Sequence, residues 1–393
     1  MRIPGTAGTR GFGRSRFFHK LSRDVMAWTA EDFQHMVRAF QLARRGLNTS
    51  HPNPRVGCVL VNEGERVGEG WHRYAGGPHA EIEALSMAGP RAAGATCYVS
   101  LEPCCHHGRT PPCTEALLNA GIARVVGACQ DPNPQIRGLG FLALERGAVD
   151  VGYGLLEEES RHLNRGFFSR MERGRPFVTC KLAGSLDGRT ATASGESKWL
   201  TAEAARADVQ RLRAQASAVM TGILTVLSDD PRLTVRDPRI EMGGRQPLRV
   251  IIDSSLRTPL SARLLAQPGK ACIVTLEQPQ HRVQPFIDRG VAVLMANAGD
   301  GRVDLGEALE RLSDMEINEV LLEAGPTLAG AMFRAELVDE LVLYTAPILL
   351  GGEALPLLSL PEISRLSDGL RLQIKDLRKI GADLRITAHV RTS

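Results

Sequence analysis

No apolar run in this 393-residue chain is long enough to span a bilayer, which excludes a transmembrane helix from the reading. A disulfide framework is missing too. The eight cysteines (Cys58, Cys97, Cys104, Cys105, Cys113, Cys129, Cys180 and Cys272) are scattered along a long chain, a usage that fits a reducing compartment and a cytoplasmic enzyme. Surplus positive charge is confined to one end. The formal net charge is +4, but residues 1–25 hold six basic side chains (Arg2, Arg10, Arg14, Arg16, Lys20, Arg23) against one acid, Asp24. Beyond them 42 basic residues face 43 acidic ones, so the body carries no electrostatic footprint for nucleic acid. The basic segment is Gly/Arg/Ser-rich and aperiodic. It reads as a disordered extension, a targeting peptide, or sequence ahead of a true start at Met26, and the last is favoured. No internal repeat links the two halves.

What is present is concentrated in residues 79–113. His79-Ala-Glu81, then Pro103-Cys104-Cys105 and Cys113, have the residue types and order of a zinc site that activates water for deamination. One imidazole and two thiolates on a tetrahedral ion leave a fourth position for water, and three protein ligands rather than four mark a catalytic zinc. His79, Cys104 and Cys113 supply that set. The metal brings the pKa of its water toward neutrality, and Glu81, as general acid and base, shuttles the proton to the ring and the leaving amine. Residues two apart on a helix point about 200° away from each other, so His79 and Glu81 can share a metal only at a helix start. Pro78 suits such an opening, and Pro111-Pro112-Cys113 suggests a second. A lone His-x-Glu means little, and a lone cysteine is usually a buried hydrophobe. A structural zinc with a fourth ligand from Cys105, His106 or His107 is the bland alternative, but it leaves Glu81 without a role. Cys105 competes with Cys104, and the residue directly after the proline is chosen.

The remaining pattern is α/β. A first helix carries Phe33, Met36, Val37, Phe40 and Leu42. Strands at 57–61 and 66–71 flank a turn at Asn62-Glu-Gly, and further strands (96–101, 124–129, 149–151) alternate with helices, one of them near 136–146. Arg170–Pro176 reads as a linker. After it come a strand from Phe177, a helix over 201–213, strands near 218, 249, 271 and 291, a helix over 304–312, a strand at 318–325, Leu341–Tyr344, and a hairpin between Leu370 and Val390. The domains expected are therefore 26–170 and 177–393, joined by 171–176. Glu319-Val-Leu-Leu-Glu-Ala-Gly-Pro-Thr-Leu-Ala-Gly330 puts Gly325, Pro326 and Gly330 where a strand turns into a helix, a place that can receive phosphate. The spacing matches neither the dinucleotide nor the Walker pattern, so the physics stops at a possible nucleotide site.

From about residue 30 onward the chain resembles the bifunctional deaminase and reductase family of bacterial riboflavin biosynthesis. The matching segments are His51–Gly57, Pro78–Glu81, Leu101–Cys113, Gln130–Pro134, Lys181–Arg189, Gly195–Trp199, Asp229–Arg236 and Glu323–Gly330. The resemblance implies a cytidine-deaminase-like three-layer α/β/α domain followed by a dihydrofolate-reductase-like α/β domain. It implies zinc-dependent deamination of 2,5-diamino-6-ribosylamino-4(3H)-pyrimidinone 5′-phosphate, then NADPH reduction of the ribosyl group to ribityl. It also implies a homo-oligomer, dimer or tetramer, with no nucleic-acid or membrane partner. By motif, Asn53, His106, Arg109, Asp131 and Asn133 would hold the pyrimidine substrate in the deaminase. In the reductase Ala183, Trp199, Thr225, Asp229, Ser254 and the loop of Gly325, Pro326, Thr327, Leu328, Ala329, Gly330 and Ala331 would line the NADPH pocket. Ser197, Arg213, Leu233, Arg236 and Glu323 would face the substrate, the arginines giving planar forks to its phosphate. Cys105 stands where the family usually has Ser, and Ala183-Gly184 where it often has Gly-Ala.

Two other readings stay open at this point. One is a nucleic-acid or nucleoside deaminase with an accessory nucleotide-binding domain, disfavoured by the neutral body. The other is a metal-stapled binding module without catalysis, in which Glu81 would be dispensable.

Overall fold

The computed structural model describes residues 28–106 and 111–390. The basic segment 1–25 and Arg109 lie outside the described residues.

The first half is built on a five-stranded sheet. Its elements are α1 (Ala30–Ala43), β1 (Gly57–Asn62), β2 (Glu65–Trp71), α2 (Ala80–Ala88), β3 (Thr96–Val99), α3 (Cys113–Asn119), β4 (Arg124–Gly127), α4 (Leu139–Arg146) and β5 (Asp150–Tyr153). The order across the sheet is β2-β1-β3-β4-β5. β1 runs antiparallel to β2 and β3, whereas β3, β4 and β5 are parallel. The expected turn at Asn62-Glu-Gly is a two-residue hairpin with Glu63 and Gly64 both at positive φ. Because β1 opposes both its neighbours, its start meets the ends of β2, β3 and β4 at one edge. Asn53 precedes β1, His79 follows β2, Cys104 follows β3 and Asp131 follows β4, so four candidate residues converge there.

Helices α1 and α2 press on opposite faces of β1 and β2, one contributing Met36, Ala39 and Phe40 and the other Ala80, Ala84 and Ala88 to two separate apolar cores. Small residues make this close. A Cβ on Gly70 would sit 2.2 Å from the carbonyl oxygen of Ala80, and one on Gly68 2.2 Å from that of Ala84. Helix backbone therefore rests directly on strand backbone.

Two helices follow that periodicity did not reveal, α5 (Glu157–Leu163) and α6 (Arg165–Arg173). The segment expected as a linker, Arg170–Pro176, is thus mostly helix. It is also fixed in place: Arg173 and Arg175 both pair with Asp339, at 2.8 and 2.9 Å, and Ser169 donates to the Arg175 carbonyl. Its polarity comes from arginines that serve as cross-domain clamps.

The second half contains β6 (Phe177–Ser185), β7 (Arg189–Ala191), α7 (Glu203–Gln215), β8 (Ala218–Gly222), α8 (Ile223–Asp229), β9 (Leu248–Ile252), β10 (Ala271–Thr275), α9 (Gln280–Ile287) and β11 (Ala292–Met295). It continues with β12 (Ala298–Gly299), β13 (Arg302–Val303), α10 (Leu305–Asp314), β14 (Glu319–Leu322), α11 (Pro326–Arg334), β15 (Glu340–Ala346), β16 (Leu355–Pro356), β17 (Leu372–Ile380) and β18 (Asp383–Val390). Nine strands form one sheet in the order β11-β10-β9-β8-β14-β6-β15-β18-β17. The seven from β11 to β15 are parallel, so the ends of β8, β9 and β14 lie at one edge and their starts at the other. The first half docks on the edge of starts. Among the described residues no helix is long and apolar enough to cross a membrane.

A candidate zinc centre and a candidate reductase cleft

His79 is the N-cap of α2 and Cys113 the first residue of α3. The two helix starts therefore meet where the sequence asked for them. His79 Nδ1 lies 3.2 Å from Cys113 Sγ and 3.5 Å from Cys104 Sγ, and the three donor atoms fall within 4.8 Å of one another. Ligand bonds of 2.0–2.3 Å at tetrahedral angles put N and S ligands of zinc roughly 3.5 Å apart. One imidazole and two sulfurs at this spacing fit zinc. Cys105 stays outside the donor group. The Cys104 thiol is pulled down to about 4 by hydrogen bonds from Cys113 and His79, so it is a ready thiolate, while Cys113 is pushed up because it keeps the proton the pair shares. A divalent cation drives that proton off.

Glu81 is buried in the first turn of α2. Burial, with the Cys104 charge adding to it, raises its carboxyl to about 7. Asp131 is raised to about 7 by burial as well, although it accepts the Asn133 amide at 2.7 Å. Glu102, in the segment Leu101–Cys113, was not singled out in the sequence. It accepts backbone N–H groups from Asp131, Gly138, Gly140 and Phe141 at 2.8–3.3 Å, and so holds the loop that carries Asp131 and Asn133.

His72 is a second residue the sequence did not single out. Its Nδ1 faces the Pro78 carbonyl at 3.0 Å and its Nε2 faces Asn53 Nδ2 at 3.0 Å. A carbonyl only accepts, so Nδ1 carries the ring hydrogen. Burial lowers the His72 pKa and keeps the ring neutral, so Nε2 accepts from the Asn53 amide nitrogen. This fixes the Asn53 amide, with its nitrogen on His72 and Oδ1 on the other side. His106 is exposed at the rim.

The reductase candidates are more dispersed. Gly325 is the N-cap of α11 and Pro326 its first residue, so the expected loop is a helix start at the end of a parallel strand, its first-turn amides available to an anion. Gly325 N–H reaches Thr225 Oγ1 at 3.3 Å, which joins two of the candidates. Gly330 also serves packing: a Cβ there would meet the Ser359 carbonyl oxygen at 2.1 Å, so the bare backbone lets the segment around Ser359 lie against the helix. Asp229 pairs with Lys198 at 3.3 Å beside Trp199, whose exposed ring lies under Arg206. Ser254 follows β9, and Ala183 lies within β6. The helix start and these neighbours gather at the edge of strand ends, a place that fits a nucleotide cofactor.

Glu323 is buried at the end of β14. Burial alone would raise it, but Arg213 and Lys181 outweigh that and hold its carboxyl at about 2. Arg213 grips it with two bonds of 2.6 and 2.9 Å, and Lys181 lies 3.7 Å away. This corrects one expectation: the fork of Arg213 is occupied by Glu323 and not open to a phosphate. Arg236 is exposed and remains available. A second correction concerns Leu233, whose side chain packs with Ala216, Val219 and Leu321, so only its backbone, at φ 53°, can meet a substrate. Ser197 is exposed. Lys181 was quoted only within a motif, and nothing in the pattern showed that it faces Glu323.

Family models match both halves. Residues 29–129 match the cytidine and deoxycytidylate deaminase zinc-binding region, and residues 176–386 match the RibD C-terminal domain. Together with the donor set at His79, they define a zinc-dependent pyrimidine deaminase joined to an NADPH-dependent reductase. The riboflavin biosynthesis protein RibD of Escherichia coli is 48% identical over 90% of this chain and 98% of its own, and that of Haemophilus influenzae is 43% identical over 92% and 98%. Among solved structures, Acinetobacter baumannii RibD in its form 1 superposes with a TM-score of 0.87 at 43% identity, covering 92% of this chain and 99% of that one. A Thermotoga maritima diaminohydroxyphosphoribosylaminopyrimidine deaminase/5-amino-6-(5-phosphoribosylamino)uracil reductase gives 0.80 at 32% identity, with the same coverage. The chain belongs to the family of the riboflavin biosynthesis protein RibD.

Proposed function

We propose that this chain deaminates 2,5-diamino-6-ribosylamino-4(3H)-pyrimidinone 5′-phosphate at the His79 site and reduces the ribosyl group of the product to ribityl at the Glu323 cleft. The deaminase assignment is carried by one observation: three zinc donors within 4.8 Å beside a buried carboxyl. His79, Cys104 and Cys113 hold the metal, and zinc when bound supplies an acidified water and a Lewis acid. Glu81, at about 7, both takes and returns a proton near neutral pH, passing it to a ring nitrogen and then to the departing amine. Asn53 accepts from the pyrimidine through Oδ1. Asp131 and Asn133, with His106 and Arg109, complete the pocket.

In the reductase, the α11 start (Gly325, Pro326, Thr327, Leu328, Ala329, Gly330, Ala331) and Ala183, Trp199, Thr225, Asp229 and Ser254 hold NADPH. The cofactor supplies hydride, and the protein orients it against C1′ of the ribosyl group. Arg236 takes the substrate phosphate, Ser197 and the Leu233 backbone line the cleft, and Glu323 keeps a fixed negative charge beside Lys181. Exposed apolar side chains on the terminal hairpin, Leu372, Ile374, Leu377 and Leu384, support a homo-oligomer. Eight free cysteines support a reducing, cytoplasmic setting. The neutral body supports a partner set without nucleic acid.

The test supplies purified protein with the diamino substrate, with and without NADPH, and follows ammonia and the cofactor absorbance together. Ammonia without NADPH, and cofactor oxidation only after ammonia release, is the expected result. Oxidation that precedes ammonia release overturns the order, and no ammonia from zinc-loaded protein overturns the deaminase assignment.

A further inference from the structure

The turn His51–Arg55, which carries Asn53, touches the reductase half at three of its five residues. Ser217, just before β8, accepts N–H groups from Asn318 and Glu319 at 3.3 and 3.1 Å, which uses both lone pairs of its hydroxyl. Its one hydrogen then goes to His51 Nδ1 at 2.9 Å. Asn318 Nδ2 donates to the Pro52 carbonyl at 2.7 Å, and the orientation of that amide is fixed because its Oδ1 accepts from Arg170 Nε at 2.6 Å. Arg55 Nη1 reaches Glu319 at 2.5 Å, while its backbone is held on the deaminase side by Asn164. Within the deaminase half, Asn53 is held through its side chain by His72 and through its backbone by Ser50, whose carbonyl accepts the Asn53 N–H at 3.0 Å and whose hydroxyl donates to the Asn53 carbonyl at 3.3 Å. The turn is thus held from both domains, the reductase half bonding the His51 ring, the Pro52 carbonyl next to Asn53 and the Arg55 guanidinium.

We infer that Asn318 and Ser217 of the reductase half are positioning residues for the deaminase, fixing the turn that presents Asn53 to the pyrimidine. The inference rests on the reading that Asn53 binds substrate. It makes the two activities unequal in their dependence on the interface: the deaminase needs the reductase scaffold, whereas the Glu323 cleft lies at the opposite edge of the sheet and does not need the turn. A misplaced Asn53 weakens binding more than it slows proton transfer by Glu81, which sits on α2 and is held by other contacts.

Asn318→Asp is the sharpest probe, because it keeps the shape and the oxygen that meets Arg170 but replaces the donor to Pro52 with an acceptor. In the full-length, zinc-loaded chain the expected result is a deaminase KM raised about tenfold for the diamino substrate, a loss comparable to one buried hydrogen bond. Deaminase kcat, zinc content, the unfolding midpoint, and NADPH-dependent turnover of 5-amino-6-(5-phosphoribosylamino)uracil stay near wild type. Ser217→Ala moves the same KM in the same direction, and Ser217→Thr, which restores the hydroxyl, brings it back. An unchanged deaminase KM in Asn318→Asp overturns the inference, as does a parallel fall in both activities together with the unfolding midpoint. Asn53→Ala separates the premises: an unchanged KM there overturns the reading of Asn53, whereas a raised KM there with an unchanged one in Asn318→Asp overturns the inference alone.

Discussion

Both halves of the molecule bury carboxyl groups at their candidate sites, with opposite electrostatic results. In the deaminase, burial outweighs what lowers Glu81 and Asp131, His79 included in the case of Glu81, and both rise to about 7. In the reductase, Glu323 is gripped by Arg213 with Lys181 nearby and falls to about 2. The difference follows the chemistry. Hydrolytic deamination moves protons, so its carboxyls are poised to exchange them at neutral pH. Reduction by a nicotinamide moves a hydride that the cofactor brings, so the protein there needs a charge that stays put.

The comparison breaks most visibly at Glu81. Glu81→Gln removes the exchangeable proton but not the metal ligands, so deaminase kcat is expected to fall by about 10²–10⁴-fold while zinc content and NADPH turnover of the deaminated substrate hold. Zinc analysis beside the two separate assays checks it, and deamination at the wild-type rate removes Glu81 from the mechanism. Next comes the fixed charge. Arg213→Met leaves Glu323 buried with Lys181 and Arg236 as its remaining cations, and removing one partner of a buried pair costs about 3–5 kcal/mol. A urea midpoint close to wild type would show that Lys181 and Arg236 hold the charge without it. The smallest effect sharpens the contrast through pH. The native Asp131 carboxyl keeps its proton up to about 7, while an unfolded aspartate releases it near 3.9. Between those values the native state binds more protons, so this group makes stability decline as pH rises, by at most ~1.4 kcal/mol per unit, and the decline ends above about 7. Asp131→Asn is expected to flatten that part of the stability profile, and an unaltered slope across the window would remove Asp131 as its source.

How much of this was legible differs between the halves for a physical reason. The metal donors lie within 35 residues, between punctuating prolines, so types and spacing alone brought His79, Cys104 and Cys113 together. Glu323 and Arg213 are 110 positions apart, and no local pattern says that a helix arginine will turn inward to meet a strand end. The motif resemblance named both residues but put Arg213 on a phosphate. Likewise Leu233 belongs to a matching segment, yet its side chain serves the core. The short helix α9 was hidden by Pro285 in its interior, and α6 by arginines that face a partner domain rather than water. His72 and Glu102 were missed because they act by hydrogen bonding to other groups of the site, a role with no sequence signature.

The backbone contact at Gly70 sets a tolerance for the whole deaminase. Adding one methyl to that strand would lever α2 outward from its root, and because His79 and Glu81 ride the same first turn, donor and carboxyl would be displaced as a unit. Deamination is therefore poised on a clearance narrower than a single carbon atom, in a place where neither a reactive group nor a substrate is found.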